Sequence, residues 1–138
     1  MTDVSNSVTS LLEALSNVRT RIAAGKKSLH KYVFVLALVE LYESNTQRPN
    51  RFYLNSEIET LFEDIWTELH GTRPDANAIE HPFYYLQSDG LWFLSVKNGF
   101  EQLYESYKNA ENRRLTKKRL LETIEYGFLR DDIHTLLQ

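Results

Sequence analysis

The stretch "KKSLHKYVFVLALVELYE", residues 26–43, decides the fold class of this chain. Its middle, "YVFVLALV", is apolar and contains no charged residue. A helix that is apolar nearly all round is buried at the centre of a domain. Gly25 suits the end of a preceding helix, and Ser28 is a suitable N-cap for the next one. The sequence therefore predicts a central buried helix from Ser28 to about Tyr42.

Amphipathic helices are predicted on both sides of this central helix. Before it, apolar residues recur every three or four positions, at Val8, Leu11, Leu12, Leu15, Val18 and Ile22. After it, a loop and the short extended piece "RFYL" lead to "NSEIETLFEDIWTELHG", residues 55–71. A second helical stripe follows there, at Ile58, Leu61, Phe62, Ile65, Trp66 and Leu69. Ser56 and Glu59 have capping-box spacing, and Gly71 is the predicted end of this helix.

A β-hairpin is predicted in the aromatic stretch "IEHPFYYLQSDGLWFLSV", residues 79–96. The pieces "PFYYLQ" and "LWFLSV" flank "SDG", a glycine-containing turn of the hairpin kind. Two strands alone are marginally stable, so this hairpin should pack on the helices. Pro82 reads as a strand-edge proline and Tyr84 is left open. The residues assigned to packing rather than to a site are Phe83, Leu86, Leu91 and Trp92.

Three further helices are predicted towards the C-terminus, in "NGFEQLYESYKNAENRR" (98–114), "LTKKRLLETIEYG" (115–127) and "DDIHTLLQ" (131–138). Thr116 is a good N-cap, with Leu115 and Leu120 at the hydrophobic-staple positions around it. Gly127 is the predicted stop of that helix. The predicted fold class is mainly α with a small β-hairpin (α+β), a compact, winged-helix-like fold in one domain spanning residues 1–138.

Composition narrows the possible classes of protein. The 138 residues suffice for a single hydrophobic core, and the absence of cysteine excludes disulfides and cysteine-type zinc sites. The N-terminal residues lack the basic and continuously apolar regions of a signal peptide. The longest apolar run is far shorter than the about 20 residues that span a bilayer. A soluble cytoplasmic protein without a membrane partner is therefore expected.

The basic residues are concentrated although the net charge is -3. Residues 19–31 contain five basic residues and no acid, namely Arg19, Arg21, Lys26, Lys27 and Lys31. Residues 113–119 contain five more and again no acid, namely Arg113, Arg114, Lys117, Lys118 and Arg119. A local basic face on a mildly acidic body fits binding to a DNA backbone. On charge alone, two solvated helix ends explain the pattern equally well.

No catalytic or metal-binding motif is present in the sequence. The four histidines, His30, His70, His81 and His134, have no recognised metal-ligand spacing. There is no phosphate-binding glycine loop and no nucleophile elbow. A hydrolytic site needs a nucleophile or a metal held by an oriented base, and no pattern indicates one. We therefore expect no enzymatic activity in this chain, no catalytic residues, no metal and no small-molecule cofactor.

Three landmarks in order resemble a known family. The pair His30–Lys31 opens the central apolar helix, "HPFYYLQSDGLW" follows at residues 81–92, and "LTKKRLLETIEYGFL" comes late, at 115–129. This order is similar to the sulfur-binding domain on the N-terminal side of McrA-type HNH restriction endonucleases, which attack phosphorothioated DNA. The resemblance covers roughly residues 15 to 137, and its most specific part is the Pro-Phe-x-x-Leu-x-x-Asp-Gly-Leu-Trp string.

The resemblance implies a reader of double-stranded DNA in which sulfur replaces one nonbridging phosphate oxygen. In such domains the sulfur sits in a shallow apolar cavity surrounded by basic residues. Carried onto this chain, Pro82 is the cavity floor, with His81 and Tyr85 as walls and His30 and Lys31 approaching the modified phosphate. The remaining DNA contacts are then expected from the two basic segments, at Arg19, Arg21, Lys26, Lys27, Arg113, Arg114, Lys117 and Lys118.

Three positions depart from the family pattern. His81 stands where a tyrosine commonly precedes the proline, and Tyr32 rather than proline follows the His-Lys pair. Tyr85 stands where some relatives have a small residue. The sequence therefore raises the question of whether His81 and Tyr85 leave room for a sulfur atom.

Two other functions remain open at this point. A compact, winged-helix-like DNA-binding domain would use the hairpin as a wing and read bases without regard to sulfur. A protein-interaction domain would use the aromatic stretch as a hot-spot patch. The first-ranked expectation is the reader module of a prokaryotic restriction system, joined to an HNH nuclease and able to form a homodimer through the full-length protein.

Overall fold

A computed structural model describes residues 26–109 and 115–138 of the chain. Within these residues the chain forms six α-helices, one 3₁₀ turn and two strands. The elements are α1 Lys26–Ser44, α2 Ser56–His70, α3 Glu80–Tyr85, the 3₁₀ turn Leu86–Asp89, β1 Trp92–Val96, α4 Glu101–Asn109, α5 Lys117–Thr123, β2 Ile124–Leu129 and α6 Asp131–Leu137. The stripe predicted between Val8 and Ile22, and Gly25 after it, lie outside the described residues.

Helix α1 is the central buried helix that the sequence predicted. Val33, Phe34, Ala37 and Leu38 are essentially inaccessible to solvent. The helix packs against α2 on one side and α3 on another. Lys26 and Lys27 already belong to this helix, so Ser28 is not its N-cap. On α1, His30 lies close to Trp66 of α2 and to His81 of α3.

Helix α2 begins and ends at polar signals in the sequence. The side chain of Asn55 accepts a hydrogen bond from the backbone N–H of Ile58 at 3.2 Å, so Asn55 and not Ser56 is the N-cap. Asn55 has the extended backbone of a capping residue, which lets its side chain reach the free N–H groups of the first turn. Gly71 adopts a left-handed conformation at φ 75° and ends the helix, as predicted.

The predicted hairpin at residues 79–96 is wrong. Its first half is helix α3 followed by the 3₁₀ turn, and only Trp92–Val96 is a strand. Phe83 and Leu86, three residues apart, are both buried, which is the spacing of a helical face rather than of a strand. Pro82 lies in the first turn of α3, where its missing N–H has no intrahelical acceptor to lose.

The partner of β1 comes from the C-terminal part of the chain. β1 and β2 pair antiparallel, with Trp92 opposite Leu129 and Leu94 opposite Gly127. The helix predicted over 115–127 therefore ends early, at Thr123, and Gly127 lies inside a strand instead of terminating a helix. Its predicted start is correct, because the Thr116 side chain accepts from the Arg119 N–H at 3.3 Å.

Gly127 is required by the packing of Trp92. A Cβ atom at position 127 would lie 2.1 Å from Cζ2 of the Trp92 indole, far inside van der Waals contact. Trp92 is fully buried against Phe34, Phe52 and Phe83. Its Nε1–H donates to the Phe83 carbonyl oxygen at 2.9 Å. Through this hydrogen bond and the packing of Trp92, strand β1 holds helix α3 in place.

The fold class is confirmed as mainly α with a small antiparallel β element, although the strands are joined by a connection containing α4 and α5. The last helix, α6, lies where it was predicted. Likeness to a winged helix and the single-domain organisation of residues 1–138 stay predictions. Across the part of the chain that is described, no helix has the length and apolarity needed to cross a membrane.

Candidate nucleic-acid interface

Three helices bring five rings into one continuous row, here called the ring row: His70, Trp66, His30, His81 and Tyr85. The centroid distances between successive rings are 4.3, 4.7, 5.9 and 4.6 Å. His30, His81 and Tyr85 are three of the five residues that the resemblance assigns to the sulfur pocket. The structure thus brings these three together, and adds two residues of α2 that sequence reasoning did not assign to a site.

Helical spacing explains how each pair in the row forms. Trp66 and His70 on α2, and His81 and Tyr85 on α3, are four residues apart, so their side chains lie on the same face of each helix. His70 is fixed further, because its Nδ1 lies 2.9 Å from the Trp66 carbonyl oxygen. His30 is on the second turn of α1 and fills the gap between the two pairs.

Pro82 directly follows His81, a member of the ring row, in the chain. It is buried in the first turn of α3, and its carbonyl accepts the backbone N–H of Leu86. His81 is half-buried, while Tyr85 is 44% exposed. The His81 and Tyr85 rings are tilted by 31° and lie against each other, so no atom-sized gap separates them. In this conformation the two predicted walls, His81 and Tyr85, contact each other, and Pro82 is buried.

Lys31 lies inside the protein rather than on its surface. Its Nζ is 3.0 Å from Oδ2 of Asp89 and donates to Oγ of Ser88 at 2.9 Å. The Lys31 and Asp89 side chains are only 9% and 2% exposed. The Ser88 hydroxyl in turn donates to the Tyr85 carbonyl oxygen at 2.9 Å. Lys31 therefore ties α1 to the turn that follows Tyr85.

The start of α5 is joined to the start of α3. An Oε2 of the buried Glu80, the residue before His81, accepts the backbone N–H of Lys117 at 2.7 Å. The Lys117 ammonium group pairs with Glu59 of α2 at 2.6 Å, and Lys118 is exposed. Part of the second basic segment is thus attached beside the ring row.

The remaining predicted DNA contacts are only partly described. Lys26 and Lys27 belong to the first turn of α1, the helix that carries His30. Arg19, Arg21, Arg113 and Arg114 lie outside the described residues. No group of three or more His, Asp or Glu side chains suited to holding a metal ion occurs in residues 26–109 and 115–138.

The four residues of this stretch that the sequence assigned to packing were assigned correctly. Phe83, Leu86, Leu91 and Trp92 are all buried in the core. Tyr84, which was left open, packs partly against the core. Its pKa is raised to about 12, mainly by burial and to a smaller extent by the neighbouring Tyr104. Tyr84 is therefore a neutral packing residue beside the ring row.

Trp66 was missed because its spacing fits a core stripe equally well. It does pack against the core and stacks on the buried Phe62, at 6.0 Å between centroids. Its other neighbours, however, are the imidazoles of His30 and His70. The recurrence of an aromatic residue and a histidine four positions apart, in both "WTELH" and "HPFYY", was the available signal.

The domain is mainly helical, with three imidazoles in the ring row and the start of the basic helix α5 attached to Glu80, the residue before His81. The family model described as the ScoMcrA-like DNA sulfur-binding domain matches residues 8–138. The chain belongs to this family, whose members are DNA-binding domains that bind sulfur-modified DNA. None of the curated proteins compared with it matches the chain.

Proposed function

We propose that this domain reads a single phosphorothioate in double-stranded DNA, with the sulfur atom held against Pro82 and His81 once the Tyr85 ring has swung aside. The observation that carries the proposal is the ring row, which brings His30 close to His81, the residue before Pro82, although they are far apart in the chain. Family membership supports sulfur recognition in general. The residue assignment is our own.

The proposed site discriminates sulfur from oxygen by desolvation. Sulfur is larger and more polarisable than oxygen and accepts hydrogen bonds poorly, so it loses little on leaving water. A phosphate oxygen placed against a proline ring would lack a donor, which is costly. Selectivity in apolar sites of this kind is worth about 1–3 kcal/mol. The remaining affinity must come from contacts to the unmodified phosphates.

The sulfur reaches Pro82 only if the Tyr85 ring swings away from His81. Tyr85 is the exposed member of the pair, so its ring can rotate towards solvent without disturbing the core. Because only open molecules bind the sulfur, the apparent affinity is the intrinsic affinity multiplied by the fraction of molecules that are open. The family departure at Tyr85 is thereby interpreted as a cover over the pocket.

Lys31 serves the pocket by holding its frame. Its ammonium group is neutralised by Asp89, and it reaches a phosphate only by exchanging that carboxylate for the DNA. We assign to it the tethering of the turn behind Tyr85. His30 faces the pocket directly from α1 and is the residue that approaches the modified phosphate.

We propose that the two basic segments contact the phosphates that flank the modified one. The residues proposed for these contacts are Arg19, Arg21, Lys26 and Lys27 before α1 and in its first turn, and Arg113, Arg114, Lys117 and Lys118 around the start of α5. Such contacts are independent of base sequence and release counterions, so they make binding sensitive to salt. The contact between Glu80 and the N–H of Lys117 supports placing the second segment beside His81.

The proposal is tested by gel shifts at matched salt with duplex libraries that carry one phosphorothioate in randomised flanking sequence. Each sulfur stereoisomer is compared with the same library without sulfur. We expect one stereoisomer to bind about 10–200-fold more tightly than the unmodified library. Equal affinities for modified and unmodified DNA would favour a general DNA-binding domain instead.

Two variants separate the pocket from the phosphate contacts. Pro82→Ala is expected to weaken binding to modified DNA selectively. Lys118→Ala should weaken both duplexes alike and reduce the slope of log affinity against log salt by about one. If Pro82→Ala weakened both duplexes alike, the assignment of Pro82 to the sulfur would be wrong.

We further propose that the domain is the reader module of a cytoplasmic restriction system, joined to an HNH nuclease that can pair through the full-length protein. Cells expressing the full-length gene product should accept an unmodified plasmid and restrict a phosphorothioated one. Equal transformation efficiencies would contradict this role, and gel filtration of the full-length protein tests the dimer.

A further inference from the structure

We propose that Trp66 of α2 is a positioning residue of the sulfur pocket, which holds the His30 imidazole against His81. This inference rests on the proposed function, because it assigns to Trp66 a part in sulfur selectivity. It extends the site from α1 and α3 to α2. Neither the landmark residues nor the two basic segments include this position.

Contacts on both sides of the Trp66 ring support the assignment. On one side His70 stacks on the indole, with 4.3 Å between centroids and 27° between planes, and is itself held at the Trp66 carbonyl. On the other side His30 lies 4.7 Å away, tilted by 43°. The Trp66 indole is therefore held by His70 on one side and contacts His30 on the other.

The inner side of His30 is closed as well. The buried ring of Phe62, one turn before Trp66 on α2, lies 6.5 Å from the His30 ring at an angle of 23°. Phe62 and Trp66 thus lie beside His30 on α2, and His81 lies beside it on α3. An unconfined imidazole interchanges between several staggered rotamers. Loss of the indole therefore lets the His30 ring leave its position beside His81.

The test combines DNA binding with a spectroscopic signature of His30. In wild-type protein the ring current of Trp66 shifts the carbon-bound ring protons of His30, and Trp66→Ala removes this shift. The ratio of affinities for modified and unmodified duplex should fall about two- to tenfold, the range of an aromatic pair contact. Trp66→Phe, which keeps a ring at this position, should restore most of the ratio.

Dependence on His30 distinguishes positioning from a general loss of structure. In a His30→Ala background, Trp66→Ala should lower the ratio no further, because there is no imidazole left to hold. Tyr53→Ala serves as the matched control, since Tyr53 is an exposed aromatic residue outside the ring row. Thermal melts identify any variant that fails to fold, and Trp66→Leu then replaces Trp66→Ala.

Three results would overturn the inference, each in a distinguishable way. If the His30 resonances do not move in Trp66→Ala, the positioning contact is absent, whatever the DNA result. If they move but the affinity ratio of the wild type is retained, Trp66 has no part in selectivity and the proposed function stands. If the wild type itself does not discriminate sulfur, the proposed function fails and the role of Trp66 in selectivity fails with it.

Discussion

The ion pair between Lys31 and Asp89 offers the sharpest test of how the proposed pocket is held. The two side chains are 9% and 2% exposed and their charged atoms lie 3.0 Å apart. Removing one partner of a buried pair costs about 3–5 kcal/mol, because the other charge stays buried without compensation. The hydrogen bond from Lys31 to Ser88 survives in Asp89→Asn, so we expect the lower end of that range for this variant.

Urea denaturation of Lys31→Met, Asp89→Leu and the double variant measures this coupling. The double variant should lose less stability than the two single losses added together, because apolar replacement of both charges is often nearly neutral. Glu63→Gln is the matched control. Its pair with Arg73 is 3.6 Å long, with side chains 44% and 80% exposed, so its loss should cost no more than about 1 kcal/mol.

Additive single losses, within about 0.5 kcal/mol, would refute the interpretation of Lys31 as a buried tether. DNA binding provides a second reading of the same variants. If Lys31 contacts a phosphate directly, Asp89→Asn frees its charge and tightens binding to both duplexes. If Lys31 only holds the turn behind Tyr85, Asp89→Asn lowers the selectivity for sulfur and does not tighten binding to unmodified DNA.

Gly127→Ala should cost about 3 kcal/mol in urea denaturation, since the new Cβ would lie 2.1 Å from Trp92. Gly99→Ala meets open space and should cost only the about 1–2 kcal/mol of its left-handed backbone at φ 90°, so equal losses would contradict this packing argument. His134, whose Nδ1 lies 2.5 Å from the Tyr42 hydroxyl, has a pKa lowered by burial. Neutral His134 therefore stabilises the fold above about pH 6.5, and this contribution is lost as the pH falls through its lower folded-state pKa. His134→Gln should flatten the profile of stability against pH between about pH 7.5 and 5. Parallel profiles of the variant and the wild type would contradict this role of His134. Tyr85→Ala should bind the modified duplex severalfold more tightly by removing the cover over the pocket, and weaker binding would show that the ring is a wall instead.

Local signals in the sequence were sufficient for most of the helical framework. The uncharged apolar run in α1 predicted its burial, and Gly71 and Thr116 marked helix ends correctly because their conformational preferences act within a few residues. The family landmarks brought His30, His81 and Tyr85 to one site before any contact was known. The structure then placed their rings in one row.

The features that were mispredicted depend on residues distant in the chain. Residues 82–87 carry apolar side chains at spacings that fit a strand and a helix equally, and burial of both Phe83 and Leu86 decided for the helix. Gly127 is a common helix terminator, but the Trp92 indole occupies the space that any side chain would need. The burial of Lys31 depends on Asp89, which lies in a different element.

The connection between β1 and β2 has a consequence for how the protein is made. β2 comes after α4 and α5 in the chain, and pairing it with β1 encloses the Trp92 indole that holds Phe83 of α3. A growing polypeptide therefore carries α1, α2 and α3 well before the strand that fixes α3 has been synthesised. Such non-local pairing forms late and slowly compared with helices. We expect the ring row to become ordered only after residue 129 has left the ribosome, so a nascent chain lacking β2 should not yet recognise DNA.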